Sequence, residues 1–405
     1  MTTRRKHWLL PDGVDELLPA DAARVEALRR HLLDLYAGWG YELVITPFIE
    51  YLDSLLTGVG RDLEHQTFKL TDPLSGRLLG IRADITPQVA RIDAHQLRRE
   101  TPVRLCYMGS VLRAYGDGFS AGRSPLQIGV ELYGHAGVES DLEVLCLMMA
   151  TLETAGVEGV FLDLGHVGIF RGLARQAGLA PEQERALFEA LQRKAVPEIE
   201  SLVAEFDLPG AEGDMFKALA GLDGRSGVLE RAGTVLAAAS DEVHRALEYL
   251  GRVGQGLAAC RPDLVVHFDL AELRGYQYQN GLVFAAFVPG SGREIARGGR
   301  YDEIGGKFGR GRPATGFSTD LKTLMRFGDF RADGPRERVF APWSGDDALE
   351  KLVSALRARG IPVVRELPGQ KGDARAQGCT HVLVKSGSRW EKRPLDEPDI
   401  DTEHN

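Results

Sequence analysis

Ser124-Pro125-Leu126-Gln127-Ile128-Gly129-Val130-Glu131-Leu132-Tyr133-Gly134 has the two-residue period of a strand, in which successive side chains point to opposite faces. One face carries Leu126, Ile128, Val130 and Leu132, a strip suited to a core. The other carries Gln127, Gly129, Glu131 and Tyr133. Two polar side chains flanking a residue with no side chain suit a small polar ligand lying on the floor of a sheet. The alternative is an ordinary half-exposed strand, which usually shows charges of both signs and threonine.

The segments around this strand supply further polar groups. Residues 103–113 read as a second strand, and the turn-rich residues 116–122 return the chain to the first. Arg113 and Gln127 are therefore expected on neighbouring antiparallel strands. In Arg82-Ala83-Asp84-Ile85-Thr86-Pro87-Gln88, Thr86 reads as an N-cap and Pro87 as a first helical residue. Asp84 is then left as an acid beside a helix start, placed to receive an ammonium group.

Before these, Asp21 reads as the N-cap of a helix carrying Val25, Leu28, Leu32 and Leu35 at helical spacing. A strand over 42–46 ends at Pro47, and a hairpin turns at Asp72-Pro73-Leu74-Ser75-Gly76. Beyond the opening strand, a helix over 140–155 leads into a strand over 160–164. Residues 171–259 lose strand-like alternation and read as a helical insertion. Sheet patterning returns over 264–270 and 274–284, and a Gly-rich turn and a helix follow near 298–302 and 316–324. After Gly334-Pro335 a small α/β unit is expected: a strand at 339–341, a helix over 346–359, strands at 363–364 and 381–384, then an acidic, disordered tail.

Composition bounds the function. The 405 residues are 43% hydrophobic and 26% charged, as in ordinary globular proteins, and contain no apolar run long enough to span a bilayer. A net charge of -9 weighs against a polyanionic partner. Cys106, Cys146, Cys260 and Cys379 lie far apart without CxxC spacing, and read as small buried hydrophobes of a reducing cytosol. Gly306-Lys307 runs into Phe308, so there is no phosphate loop, and Gly254-Gln255-Gly256 lacks the third glycine of a dinucleotide loop. Neither HExxH nor paired Cys/His spacing occurs, so no metal and no cofactor is expected. His166 and His267 read as core histidines on strands.

Six of these segments, in order, resemble the catalytic core of the class II aminoacyl-tRNA synthetases, specifically histidyl-tRNA synthetase, over residues 10–330. They are the helix and strand ending at Pro47, Arg82 to Thr86, Arg113 to Glu131, Arg274 to Gly281, Gly298 to Asp302, and Gly316 to Leu324. The resemblance implies an α+β fold: a synthetase-like antiparallel sheet flanked by helices, with an inserted helical subdomain and a small C-terminal α/β unit. It also implies a histidine site. Asp84 (glutamate in the synthetases), Thr86 and Gln127 would hold the ammonium group, and Glu131 and Tyr278 would face the imidazole. Arg274 would pair the carboxylate, and Arg113 and Tyr276 complete the set. A buried carboxylate beside an imidazole selects histidine because an apolar side chain would leave the acid unpaired.

Two departures bear on activity. The synthetases place an arginine on the ATP phosphates where this chain has Thr323, and a glutamate on ATP where it has Tyr115. Losing one such clamp typically costs ~10²-fold or more in rate. A histidine pocket without phosphate machinery resembles the regulatory subunit of ATP phosphoribosyltransferase, the synthetase paralogue that partners the short catalytic subunit at the first step of histidine biosynthesis. That resemblance implies a cytoplasmic heteromer, histidine as feedback effector, a homodimer through the first-motif helix and strand, no tRNA or membrane partner, and no catalysis by this chain. The rival is an active histidyl-tRNA synthetase or a related amino-acid ligase. The expected division is a core over 1–170 and 260–330, the insertion over 171–259, and a truncated C-terminal unit over 335–405.

Overall fold

The computed structural model describes residues 9–58, 61–116, 122–208, 210–272, 279–331 and 337–395. The chain forms two compact units, Met1–Phe330 and Arg331–Asn405.

The first unit opens with α1 (Pro19–Gly38), β1 (Glu42–Val44), β2 (Ile49–Tyr51), α2 (Leu52–Leu55) and α3 (Arg61–Gln66). Next come β3 (Phe68–Thr71), β4 (Leu78–Ile81), α4 (Thr86–Arg91), which runs on into a π-helical turn over Ile92–Leu97, and β5 (Val103–Ser110). Then follow β6 (Leu126–Tyr133), α5 (Val138–Thr154) and β7 (Phe161–His166). The helical stretch comprises α6 (Val167–Gln176), α7 (Pro181–Gln192), α8 (Val196–Glu205), α9 (Gly210–Leu219), the short β8 (Asp223–Gly224), α10 (Gly227–Val235) and α11 (Asp241–Cys260). The unit closes with β9 (Val265–Asp269), β10 (Leu282–Phe287), β11 (Ala296–Arg300), α12 (Ile304–Lys307), β12 (Ala314–Asp320) and α13 (Leu321–Phe327).

A nine-stranded sheet in the order β1-β5-β6-β12-β11-β10-β7-β9-β8 organises this unit. Its pairs are antiparallel except β1 with β5 and β7 with β9. Parallel neighbours need a long crossover, and the helices α6 to α11 supply it between β7 and β9. The hairpin of β3 and β4 pairs as expected, with Asp72 accepting from the Leu74 N–H at 3.1 Å and Gly76 at φ +71 closing the turn.

The quoted strand becomes β6, inside the sheet rather than half exposed. Ile128 and Val130 are fully buried on one face, where α1 and α5 pack and Thr151 of α5 donates to the Tyr36 hydroxyl at 3.2 Å. Gln127 and Glu131 on the other face are only 5% and 1% exposed. That face is closed by α4, the π-helical turn and the segment around α12, through Ile85, Val89, Tyr107, Tyr133, Tyr301, Ile304 and Phe308. Both faces of β6 are core.

Some local expectations give way. The first helix starts at Pro19, which pre-sets the helical φ, so Asp21 sits inside the first turn instead of capping it. His267 is half-exposed at the end of the sheet, with Asp163 Oδ1 2.6 Å from its Nδ1, rather than in the core. His166 is half-buried, and its Nδ1 accepts from the Gly168 N–H at 3.1 Å. Cys106 and Cys379 are buried, whereas Cys146 is half-buried and Cys260 exposed.

The second unit is a four-stranded sheet, β14 (Val363–Arg365), β13 (Val339–Ala341), β15 (His381–Ser386) and β16 (Arg389–Pro394), in that order. Helix α14 (Asp347–Ala358) begins at Asp346, whose side chain accepts from the Ala348 N–H at 2.9 Å. Strand β16 was not expected from the sequence, although Gly387 at φ +60 supplies the tight turn before it. The acidic tail lies outside the described residues.

Candidate functional site

Register on β6 decides which groups meet. Gln127 lies opposite Gly109 of β5 and Asp320 of β12, and Glu131 lies between Leu105 and Gly316. At Gly316 there is no room for more than hydrogen. A Cβ there would overlap Glu131 Oε2 and stand 2.5 Å from the Val130 carbonyl. The glycine of β12 thus makes the space in which the Glu131 carboxyl lies.

Gly129 works differently from the expectation. The space above it is taken by the Tyr107 phenol from β5, whose hydroxyl lies 2.6 Å from where a Cβ would be. The missing side chain on β6 admits a ring from the neighbouring strand, and not directly a ligand.

Four of the predicted site residues come together. Gln127 Nε2 donates to Asp84 Oδ1 at 2.7 Å, and Gln127 Oε1 accepts from the Ile85 N–H at 3.0 Å. Asp84 Oδ1 also accepts from the Thr86 N–H at 3.1 Å. The Gln88 and Val89 N–H groups, which a Thr86 cap would serve, donate to the Ile85 carbonyl at 3.0 and 3.2 Å, and Ile85 stands at the N-cap position. Thr86 Oγ1 instead lies 3.1 Å from the Tyr107 hydroxyl, which donates to Glu131 Oε1 at 3.1 Å. Tyr301 donates to Glu131 Oε2 and lies 3.5 Å from the Tyr133 hydroxyl. A chain of hydroxyls and carboxylates therefore runs from Asp84 through Thr86 and Tyr107 to Glu131.

Burial sets the protonation of this chain. Desolvation pushes the Glu131 carboxyl up to about 8, against the hydroxyls of Tyr301, Thr86 and Tyr107, which favour the ionised form. The Asp84 charge adds to the rise. Burial, then the Glu131 charge, raise Tyr107, Tyr133 and Tyr301 well above the ordinary phenol range. The phenols thus remain donors, and Glu131 sits near the point of losing its proton at neutral pH. Such a face can accept hydrogen bonds from a small cationic ligand and can exchange a proton with it.

Arg113 is held further along the β5 direction. Its N–H donates to the Arg123 carbonyl at 2.8 Å, and its carbonyl accepts from Arg123 Nε at 3.0 Å. Arg274, Tyr276, Tyr278 and the loop residues 117–121 lie outside the described residues. Sequence reasoning missed the roles of Tyr107 and Tyr301. The period-two alternation of β5 and the Gly298–Asp302 segment carried the signal, but only register shows both hydroxyls meeting Glu131. It also missed Arg82, buried under Gly109 and donating to the carbonyls of Ser110 and Thr46 at 2.8 Å each.

Thr323, the position of the synthetase arginine, is turned inward. Its hydroxyl donates to Asp320 Oδ2 at 2.9 Å, and Asp320 caps α13 by accepting from the Thr323 and Lys322 N–H groups. The neighbouring cation is also engaged: Lys322 Nζ donates to Asp15 Oδ1 at 2.6 Å and to the Ser124 carbonyl at 2.9 Å. Burial alone would raise the Asp15 carboxyl, yet hydrogen bonds from Lys322 and Ser124 hold it below its ordinary value.

Among known proteins, the histidyl-tRNA synthetase family model matches residues 13–324, and the model of the ATP phosphoribosyltransferase subunit HisZ C-terminal domain matches residues 336–393. An ATP phosphoribosyltransferase regulatory subunit of Alkalilimnicola ehrlichii is 60% identical over 395 residues, 97% of this chain and 98% of that protein. One of Methylococcus capsulatus is 57% identical over 95% of each chain. A crystal structure from Bacillus halodurans, described as an ATP phosphoribosyltransferase regulatory subunit/histidyl-tRNA synthetase, superposes with a TM-score of 0.81 at 27% identity, covering 94% of this chain and 98% of that one. With a synthetase core, a HisZ-type C-terminal unit and full-length relatives of one description, the chain belongs to the ATP phosphoribosyltransferase regulatory subunit family.

Proposed function

We propose that this chain is a non-catalytic subunit that senses free histidine in the cytoplasm and passes the signal to a short-form ATP phosphoribosyltransferase catalytic subunit. Histidine would bind with its ammonium group at Asp84, Thr86 and Gln127, its imidazole at Glu131 and Tyr278, and its carboxylate at Arg274, with Arg113 and Tyr276 at the edge of the site. The observation that carries this reading is an asymmetry. The Glu131 carboxyl is buried and surrounded by donors, while Thr323 and Lys322, beside the former phosphate position, are spent on Asp320 and Asp15. An amino-acid site is kept and a nucleotide grip is not.

Feedback requires that histidine contact two states of the complex unequally, by about 1–3 kcal/mol in typical allosteric proteins. The homodimer is proposed at the first-motif helix α1 and strand β1, where Leu43 and the neighbouring Ile45 stand exposed at the edge of the nine-stranded sheet. The former helical insertion and C-terminal unit would then be available to the catalytic subunit, without tRNA.

The deciding experiment is co-purification with a short catalytic subunit, followed by assay of phosphoribosyl transfer with and without histidine. Inhibition that needs this chain is the expected result. Rapid histidine-dependent ATP–pyrophosphate exchange by the chain alone would instead establish the rival ligase reading.

A further inference from the structure

Two thiols outside the proposed histidine site meet across a helix pair. Cys146 lies in the middle of α5 and Cys260 at the last position of α11, with their Sγ atoms 3.1 Å apart although 114 residues separate them. Their meeting is set by packing on either side. Tyr249 of α11 donates to Asp141 of α5, and Gly256 admits the Leu142 side chain where a Cβ would overlap it. Beyond the thiols, Arg261 pairs with Glu153. These contacts run in the same order along both helices, so the two sulfurs face each other as a consequence of helix register.

We propose that Cys146 and Cys260 form a reversible intrachain disulfide that staples the end of the helical stretch to α5, making this pair an oxidation site of the subunit. Cys260 is exposed and Cys146 half-buried. The exposed thiol is therefore the one that meets an oxidant first. With a low-molecular-weight disulfide such as oxidised glutathione, the Cys260 thiolate attacks one sulfur, forming a mixed disulfide and releasing one glutathione thiolate. Cys146 then gives its proton to solvent and attacks the Cys260 sulfur, releasing the second glutathione thiolate. Two electrons pass from the protein thiols to the glutathione disulfide, and one S–S bond forms as one breaks. Burial, together with the neighbouring Cys260, raises the Cys146 thiol above its ordinary value, and its lesser exposure makes it the resolving partner. In a reducing cytosol such a bond is transient rather than structural.

The test uses the full chain equilibrated with graded mixtures of reduced and oxidised glutathione, alkylated, digested without reduction and mapped by mass spectrometry. The expected product is a single intrachain link between the Cys146 and Cys260 peptides, with Cys106 and Cys379 alkylated only after unfolding. Cys146→Ser should stop at glutathione on Cys260, and Cys260→Ser should leave Cys146 unmodified. The melting temperature should rise on oxidation in the parent chain and in neither variant. A link between two chains, glutathione persisting on Cys260 of the parent, or no modification at the most oxidising ratio would each overturn the proposal.

Discussion

Gln127 donates through Nε2 to Asp84 Oδ1 at 2.7 Å, across 43 residues of chain, and its Oε1 takes the Ile85 N–H that follows that aspartate. One side chain of β6 therefore fixes both the carboxylate and the backbone at the start of α4. The pair sits at the end of the polar chain leading to Glu131, where the ammonium group of an amino acid is proposed to bind.

Gln127→Ala and Asp84→Asn should both weaken histidine binding. A hydrogen bond to a charged group contributes about 1.5–3 kcal/mol, so the dissociation constant should rise roughly tenfold to a hundredfold. Isothermal titration calorimetry with histidine measures this. Unchanged affinity in both variants would move the ammonium site elsewhere.

Glu131→Gln separates binding from stability through pH. Below the ordinary value of 4.5 the carboxyl is protonated in folded and unfolded chains alike, and costs nothing. As the pH rises towards about 8, the unfolded chain ionises first and stability is lost, at most about 1.4 kcal/mol per pH unit. The glutamine variant lacks this loss, so its advantage in urea unfolding should widen between about pH 5 and about pH 8, the window set by those two values. Its histidine affinity should fall at the same time. Parallel pH profiles for the two proteins would show that Glu131 is not held protonated by burial.

Gly316→Ala should destabilise the first unit by about 1–3 kcal/mol, the usual range for overpacking, because the new methyl overlaps Glu131 Oε2 and crowds the Val130 carbonyl. The control is Gly233→Ala in α10, where a Cβ meets nothing within 4 Å. That change should be neutral or stabilising by up to about 1 kcal/mol, as for glycine within a helix. Chemical denaturation of the three proteins decides the matter; equal stability of both variants would contradict the packing assigned to Gly316.

Ile45→Glu should turn the proposed homodimer into a monomer. Ile45 is 84% exposed beside the edge strand β1, and a charge buried unpaired in an interface is strongly unfavourable. Sedimentation velocity reads the outcome, and a dimer that persists would place the interface on another surface.

The order of segments, the alternation along β6 and the helical texture between β7 and β9 were legible in the sequence because they are periodic and local. The resemblance to the synthetases also singled out Asp84, Thr86, Gln127 and Glu131, and the structure brings these four residues together. Tyr107 and Tyr301 were not legible, because each reaches Glu131 from a different strand or strand end, and a hydroxyl has no periodic signature. The Thr86 cap gives way for a related reason: the Ile85 carbonyl takes the Gln88 and Val89 N–H groups that the cap would serve, a competition that residue identity alone does not resolve.

From its residues alone this protein is an α+β chain with a synthetase-like core, a polar strand face bearing Gln127 and Glu131, and a threonine in place of a phosphate-binding arginine. Only the tertiary structure decided that Glu131 lies in the space left by Gly316, that Tyr107 fills the gap at Gly129, and that Cys146 meets Cys260. Periodicity and propensity act over a few residues, whereas strand register and helix packing bring together groups more than a hundred residues apart, and the chemistry of a buried group is set by those distant neighbours.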